Sequence, residues 1–505
     1  MNNFDWIGKW AEYTPDKTAL VSADTGKSYN FQELRQNSLK LEAWLKTHYK
    51  IAPGDRIAVL SRHSPEYVML FFAAQALGAI LVPLNYRASL EELNYFIKDA
   101  APKLVLSEKK FNNKAQYLAK LHHLPTKDIR EELSITTTPK MKTCQRKISP
   151  DDTVFIFYTS GTTGKPKGVL YTNKMLFWNS LNTSVELEIT SSDITLNALP
   201  PYHTSGWNVL LLPMLHRGAR VDFIKAFKPK KVLNYLQQKP ISLFMAVPTM
   251  LRIMEKHPSF ANFKSNCLKH IIVGGESLSS QLIDSYAQKG ILLRQGYGLT
   301  EAGPCITSLH HHDALWKKGS IGKPNFYVEY KVVNENGTEV NINEAGELCL
   351  KGNVVTPGYW NNSVYTHQKI KDNWFYTGDI LTVDEEGFMY LVGRQDYLFI
   401  SGGENIFPSE IEEILIDRQW VKEAVVIGMA HEKWGQAGVA FVVSKNFKFG
   451  EKDLKEKLGK ILSSYKIPQE FIFLDQLPKS GIGKVDRNKL KKRYKQNHYE
   501  EKTGI

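Results

Sequence analysis

Cysteine is scarce: four in 505 residues, at Cys144, Cys267, Cys305 and Cys349. They stand isolated, with no CxxC pair and no histidine partner at metal-ligand spacing. That argues against a disulfide scaffold and a zinc site, and for a reducing, cytoplasmic compartment. The first ten residues carry Asp5 and no apolar core of signal-peptide length, so export is not expected. One stretch, Tyr67 to Leu84, is apolar apart from Gln75. Ser64-Pro65-Glu66 reads as a helix start and Gly78 as its stop, leaving a helix of about fourteen residues. At 1.5 Å per residue it reaches roughly 21 Å, short of a hydrocarbon core of about 30 Å, so a buried helix leading into a buried strand is expected instead of a membrane span. Repeats, zinc fingers and an RNA-binding aromatic signature are lacking too. The net charge is +13, but from Asp396 onward there are nineteen basic against sixteen acidic residues, so no basic tail exists. Nucleic acid is not an expected partner; weak peripheral contact with a membrane and the choice between monomer and homodimer stay open.

What is present is an ordinary globular composition, 42% hydrophobic and 23% charged, at a length suited to two to four domains of roughly 150 residues. Strand-sized apolar runs recur between amphipathic segments: Arg56–Leu60, Leu104–Leu106, Val154–Tyr158, Thr195–Ala198, Arg220–Phe223, Leu243–Val247 and His270–Val273. The alternation predicts an α/β region with mostly parallel, two-side-buried strands. From Tyr327 to Leu391 short strands are punctuated by Asn336-Gly337, Gly346 and Glu386-Gly387, which predicts a small β section. Near Asp396 helices such as Ser409–Asp417 and Glu451–Ser464 alternate with strands such as Ala424–Gly428 and Val439–Val443, a compact α+β texture. The expected organisation is a large N-terminal domain, 1–395, and a small mobile C-terminal domain, 396–505, joined at Gly393-Arg394-Gln395-Asp396.

The most informative segment runs from Phe155 to Gly168: an apolar strand entering Thr159-Ser160-Gly161-Thr162-Thr163-Gly164-Lys165-Pro166-Lys167-Gly168. Glycines let backbone N–H groups approach anionic oxygens, hydroxyls add donors and lysines add charge, so a polyphosphate is the natural ligand. It is not a Walker A loop, because Gly161 and Gly164 are separated by two residues and Pro166 follows Lys165.

With this loop stand Gly296-Tyr297-Gly298-Leu299-Thr300-Glu301, Gly346-Glu347-Leu348, Gly358-Tyr359, Tyr376-Thr377-Gly378-Asp379, Gly393-Arg394-Gln395-Asp396 and Pro478-Lys479-Ser480-Gly481-Ile482-Gly483-Lys484. In that order, across essentially the whole chain, they resemble the adenylate-forming superfamily of acyl-CoA synthetases, luciferases and peptide-synthetase adenylation domains. The resemblance implies ATP, Mg²⁺ and coenzyme A as cofactors. It implies that Thr159, Ser160, Gly161, Thr162, Thr163, Gly164 and Lys167 embrace the β- and γ-phosphates, that Gly274, Gly275 and Glu276 line the adenine pocket, and that Tyr297 stacks on adenine. Relatives often carry Ala-Pro where this chain has Glu276-Ser277. Thr300 would bond the α-phosphate or the acyl carboxylate and Glu301 would hold Mg²⁺, although a helix N-cap with an acidic first turn accounts for the same pair. Asp379 would accept both ribose hydroxyls, as a carboxylate can, or cap a turn; Arg394 would also contact the ribose.

By the same resemblance Lys484 bridges carboxylate and ATP in the first half-reaction only. The small domain then turns about Asp396, and Gly402 and Gly403 leave room for the pantetheine arm of CoA. The stretch from Ile400 through Ser401-Gly402-Gly403-Glu404-Asn405 to Glu412 looks like acyl-CoA synthetases more than peptide-synthetase domains. The implied activity is activation of a carboxylic acid to acyl-AMP with release of pyrophosphate, then transfer to CoA. A medium- or long-chain fatty acid is the first expectation. An aryl-CoA ligase, a ligase loading a carrier protein and a non-catalytic acyl or nucleotide sensor are the alternatives. His203 and Trp207 are expected in the acyl pocket wall, and Gly298 is expected to leave open the space that a tryptophan closes in acetate-activating relatives.

Overall fold

The computed structural model describes residues 4–130, 146–159, 166–276, 278–401, 404–444, 449–479 and 485–503. Two large sheets form the N-terminal part. In one, the strands Thr126–Asp128, Leu104–Ser107, Arg56–Leu60, Ile80–Pro83 and Thr153–Thr159 run parallel and Lys167–Thr172 closes the edge antiparallel. In the other, Leu292–Tyr297, His270–Val273, Leu243–Ala246, Ile194–Asn197, Arg220–Phe223 and Thr18–Ser22 are parallel, with short antiparallel strands at both edges. These strands are buried almost throughout, which is why they read as continuous apolar runs and not as alternations.

The apolar stretch after Ser64 is a helix, Pro65–Leu77, and then a strand, Ile80–Pro83. Ser64 accepts from the Tyr67 N–H at the helix start, and Gly78 takes the left-handed conformation that ends it, φ 72°. The helix is buried on nearly every side, the state in which a helix needs no polar stripe. Among the described residues no helix is long and apolar enough to cross a membrane.

A five-stranded, largely antiparallel sheet lies between Glu329 and Arg394. Beyond it Phe399–Ser401, Glu404–Ile406, Val421–His431, Gly435–Ser444 and Glu470–Phe473 build a second five-stranded sheet. Its hairpin strands Val421–His431 and Gly435–Ser444 are about twice as long as the apolar runs suggested, because half-buried Glu423 and exposed Gly435 and Gln436 extend the pairing. The helix expected over Glu451–Ser464 stops at Gly459, and a 3₁₀ turn forms at Ser464–Lys466. Glycine's conformational freedom and the turn preference of Ser463-Ser464 account for the early end.

Candidate active site

Thr159 ends its strand directly across from Lys167, which opens the antiparallel partner. The two ends of the glycine- and hydroxyl-rich loop are therefore held in register at a sheet edge. Ser160, Gly161, Thr162, Thr163, Gly164, Lys484, Gly402 and Gly403 lie outside the described residues.

The Lys167 ammonium sits over the Tyr365 ring, 4.1 Å from its centroid. Burial draws its pKa below the usual lysine value, with the Asp396 carboxylate opposing and Lys369 adding to the shift. The Tyr365 ring meets Tyr359 edge-on at 4.7 Å, and the Tyr359 hydroxyl donates to Glu301 Oε1 at 3.0 Å. Thr300 and Glu301 lie in the 3₁₀ turn Thr300–Ala302. Glu301 makes the expected acidic first turn; Thr300 is the first residue of the turn, and the cap position before it is Leu299, which offers no side-chain hydrogen bond. Burial raises the Glu301 pKa, against a smaller lowering by its own backbone N–H and by Tyr359. Hence a lysine, two tyrosines and a carboxylate run in contact from the phosphate loop to the 3₁₀ turn. The Tyr365 link was not visible in the motif pattern, because its helix, Ser363–Lys369, carries no phosphate-binding signature.

Asp379 and Arg394 face each other across neighbouring strands, and Arg394 Nε lies 3.1 Å from Asp379 Oδ1. Arg394 Nη2 also donates to the Thr377 carbonyl at 3.0 Å. Asp379 Oδ2 accepts from the Tyr297 hydroxyl at 2.5 Å. Gly274 and Gly275 come directly after the strand His270–Val273. A Cβ on Gly274 would stand 3.0 Å from the Gly296 carbonyl oxygen, and Gly275 has φ 91°, so both glycines answer a local need. Glu276 is exposed and accepts from Thr249 Oγ1 at 3.3 Å. Asp396 is exposed in the short turn Gln395–Tyr397, just beyond Arg394.

Two acyl-pocket expectations change. Trp207 has no accessible surface: its ring is enclosed by His63, Tyr67, Phe71 and Phe155, and its Nε1 donates to the Pro201 carbonyl at 2.8 Å. It is part of the aromatic core. The space beside Gly298 is not open, since a Cβ there would lie 2.3 Å from the Pro304 carbonyl carbon and oxygen. Glycine is needed for that backbone approach. His203 is half-buried against Tyr202, whose ring also packs edge-on against Tyr86.

An AMP-binding enzyme model matches residues 7–360, and an AMP-binding enzyme C-terminal domain model matches residues 410–484. This chain belongs to the AMP-binding enzyme family, within the adenylate-forming superfamily. It is 32% identical to a feruloyl-CoA synthase from Amycolatopsis over 97% of this chain and 99% of that one. It is 34% identical to a 2-succinylbenzoate–CoA ligase from Listeria monocytogenes, again over 97% and 99%. Among solved structures it resembles the o-succinylbenzoate CoA synthetase of Bacillus subtilis bound to its acyl-adenylate, with TM-score 0.87, 31% identity and coverage of 96% of this chain and 97% of that one. The same synthetase is known with ATP and magnesium bound, at TM-score 0.87 and 30% identity over 96% and 99% of the chains. This member of the family is an ATP-dependent, AMP-forming acid–thiol ligase using a small carboxylic acid, ATP, Mg²⁺ and CoA.

Proposed function

We propose that the acid is aromatic and that the protein is an aryl-CoA ligase. The observation that carries this reading is end-to-end similarity, at 32–34% identity, to a feruloyl-CoA synthase and a 2-succinylbenzoate–CoA ligase. It displaces the fatty-acid expectation in favour of the aryl alternative. The Tyr86 and His203 rings, each in contact with Tyr202, suit with it an aromatic acyl group, which gains from edge-on ring contacts beyond its buried area.

In the first half-reaction a carboxylate oxygen attacks the α-phosphorus of ATP, the bond to the bridging oxygen breaks, and pyrophosphate leaves with the electron pair. Neutralising that charge is the chief requirement. Lys167 and the hydroxyls from Thr159 to Thr163 bind the β- and γ-phosphates, and Lys484 supplies positive charge to the carboxylate and ATP in this step. Asp379 accepts the ribose hydroxyls while Arg394 holds it in place. Glu301 fits a magnesium site: it is a half-buried carboxylate with one hydroxyl donor, so acceptor capacity remains for a hard cation. Bound there, Mg²⁺ supplies charge to the phosphate oxygens. In the second half-reaction rotation at Asp396 withdraws Lys484, and the loop containing Gly402 and Gly403 admits the CoA thiol, which displaces AMP.

The test is incubation with ATP, CoA and ferulate, benzoate, 2-succinylbenzoate or dodecanoate, with mass-spectrometric detection of thioesters and kcat/KM for each acid. At least one aromatic acid should exceed dodecanoate by about a hundredfold, the upper range of what pocket shape discriminates. A preference for dodecanoate overturns the aryl reading.

A further inference from the structure

Away from the nucleotide site, the turn after the strand Thr307–Ser308 carries three successive histidines, His310, His311 and His312. One ligand nitrogen from each lies within 4.8 Å of the others. Facing them from the turn after the helix Asn173–Glu186 is Glu188, whose Oε1 lies 3.9 Å from His310 Nε2. We infer that His310, His311, His312 and Glu188 form a binding site for a divalent ion of the zinc, cobalt or nickel class, separate from the magnesium of the nucleotide.

The donor set decides the class: imidazole nitrogens suit borderline transition ions, whereas magnesium prefers oxygen ligands and retained water. Four-coordinate zinc with bonds of about 2.0–2.1 Å needs ligand atoms about 3.3 Å apart, so the rings close by about 1.5 Å, within reach of side-chain rotation. The His312 N–H to His310 Nδ1 bond is long, 3.4 Å, and is given up when Nε2 coordinates. The base of the turn is firm. The Leu309 N–H donates to the Gln295 carbonyl at 2.8 Å and Arg294 Nε donates to the Leu309 carbonyl at 3.0 Å.

Charge and surroundings agree with a cation. The buried Arg294 guanidinium is matched by Glu186, with Nη2 2.8 Å from Oε1, which leaves Glu188 as surplus negative charge. His270 lies parallel to His311, rings 6.5 Å apart, and is itself buried with Nε2 making no hydrogen bond. His310 and Glu188 keep exposed surface, which gives the ion a way in. Scarcity of cysteine does not weigh against a site made of imidazoles and a carboxylate.

The experiment titrates nucleotide-free full-length protein with Zn²⁺ by calorimetry and with Co²⁺ by visible absorption. Wild type should bind one ion tightly at this site, with four-coordinate Co²⁺ bands and a rise in melting temperature on the order of 3 °C at a hundredfold excess of Zn²⁺ over Kd. The double variant His310→Gln/His312→Gln should lose the bands and the shift while keeping Mg²⁺-dependent ligase activity, which also shows that it folds. His122→Gln/His123→Gln, a histidine pair elsewhere, should keep both. Glu188→Gln should weaken Zn²⁺ about tenfold or more, because loss even of groups behind metal ligands costs about 10–100-fold. Tight binding that survives in the double variant, a wild type that binds no more tightly than that variant, or an unchanged affinity in Glu188→Gln each overturns the site.

Discussion

The Tyr297 hydroxyl donates to the Asp379 carboxylate across 2.5 Å, tying the last parallel strand of the large sheet to the antiparallel sheet beyond it. One side chain thus serves as the expected adenine platform and as a partner of the expected ribose acceptor. Tyr297→Phe keeps the ring and removes the donor. Hydrogen bonds to charged groups contribute about 1.5–3 kcal/mol, so kcat/KM for ATP should fall by about tenfold or more. Asp379→Asn should cost more, since the ribose acceptor and the Arg394 partner are lost together. Steady-state kinetics with varied ATP checks both, and equal losses in the two variants would contradict the order.

Glu301 must be ionised to hold a divalent cation, and burial has raised its pKa. Activity should therefore fall on the acid side at a higher pH than for an exposed glutamate. The Tyr359 hydroxyl favours the charged form, so Tyr359→Phe should move the acid limb of the kcat/KM profile further up in pH. A limb that stays still or moves down removes Glu301 as its source.

Tyr365→Leu takes away the ring beneath Lys167. A cation–π contact of about 0.5–2 kcal/mol corresponds to roughly two- to thirtyfold. If the ring preorganises the ammonium for phosphate, KM for ATP should rise within that range while kcat changes little. Unchanged KM would reduce the contact to packing.

Lys484→Ala should lower acyl-adenylate formation by about 10²–10³-fold or more, the scale of one preorganised donor, and spare thioester formation from supplied acyl-adenylate. Asp396→Pro should do the reverse, because proline fixes φ near −65° at the proposed pivot. Rapid-quench measurement of the two half-reactions separates these outcomes; equal loss of both steps in either variant defeats its assigned role.

Gly298→Ala should destabilise the protein by about 1–3 kcal/mol, the cost of overpacking, since its Cβ meets the Pro304 backbone. Gly298→Trp should lower stability and activity toward every acid without shifting preference to short ones. Denaturant unfolding and the acid panel together check this, and a clean switch to acetate would restore the open-pocket reading.

Much of the fold was legible because burial leaves a local signature. Strands covered on both faces, such as Arg56–Leu60 and His270–Val273, can only be apolar runs, and Ser64, Pro65 and Gly78 punctuate the buried helix by backbone chemistry that needs no distant partner. The loop from Thr159 to Gly168 stands as an expectation read from the sequence, since phosphate chemistry demands glycine, hydroxyl and lysine close together in sequence. Side-chain direction was not. That Trp207 turns into the core, that Pro304 fills the space beside Gly298, that Tyr365 reaches Lys167 and that Glu188 meets His310 all depend on segments far apart in the chain or on backbone direction. The chain's own order determined which elements form and which chemistry the loops can carry. Only the tertiary structure decided which groups touch, because a contact between distant residues is set by how packed layers are stacked and leaves no trace in local composition.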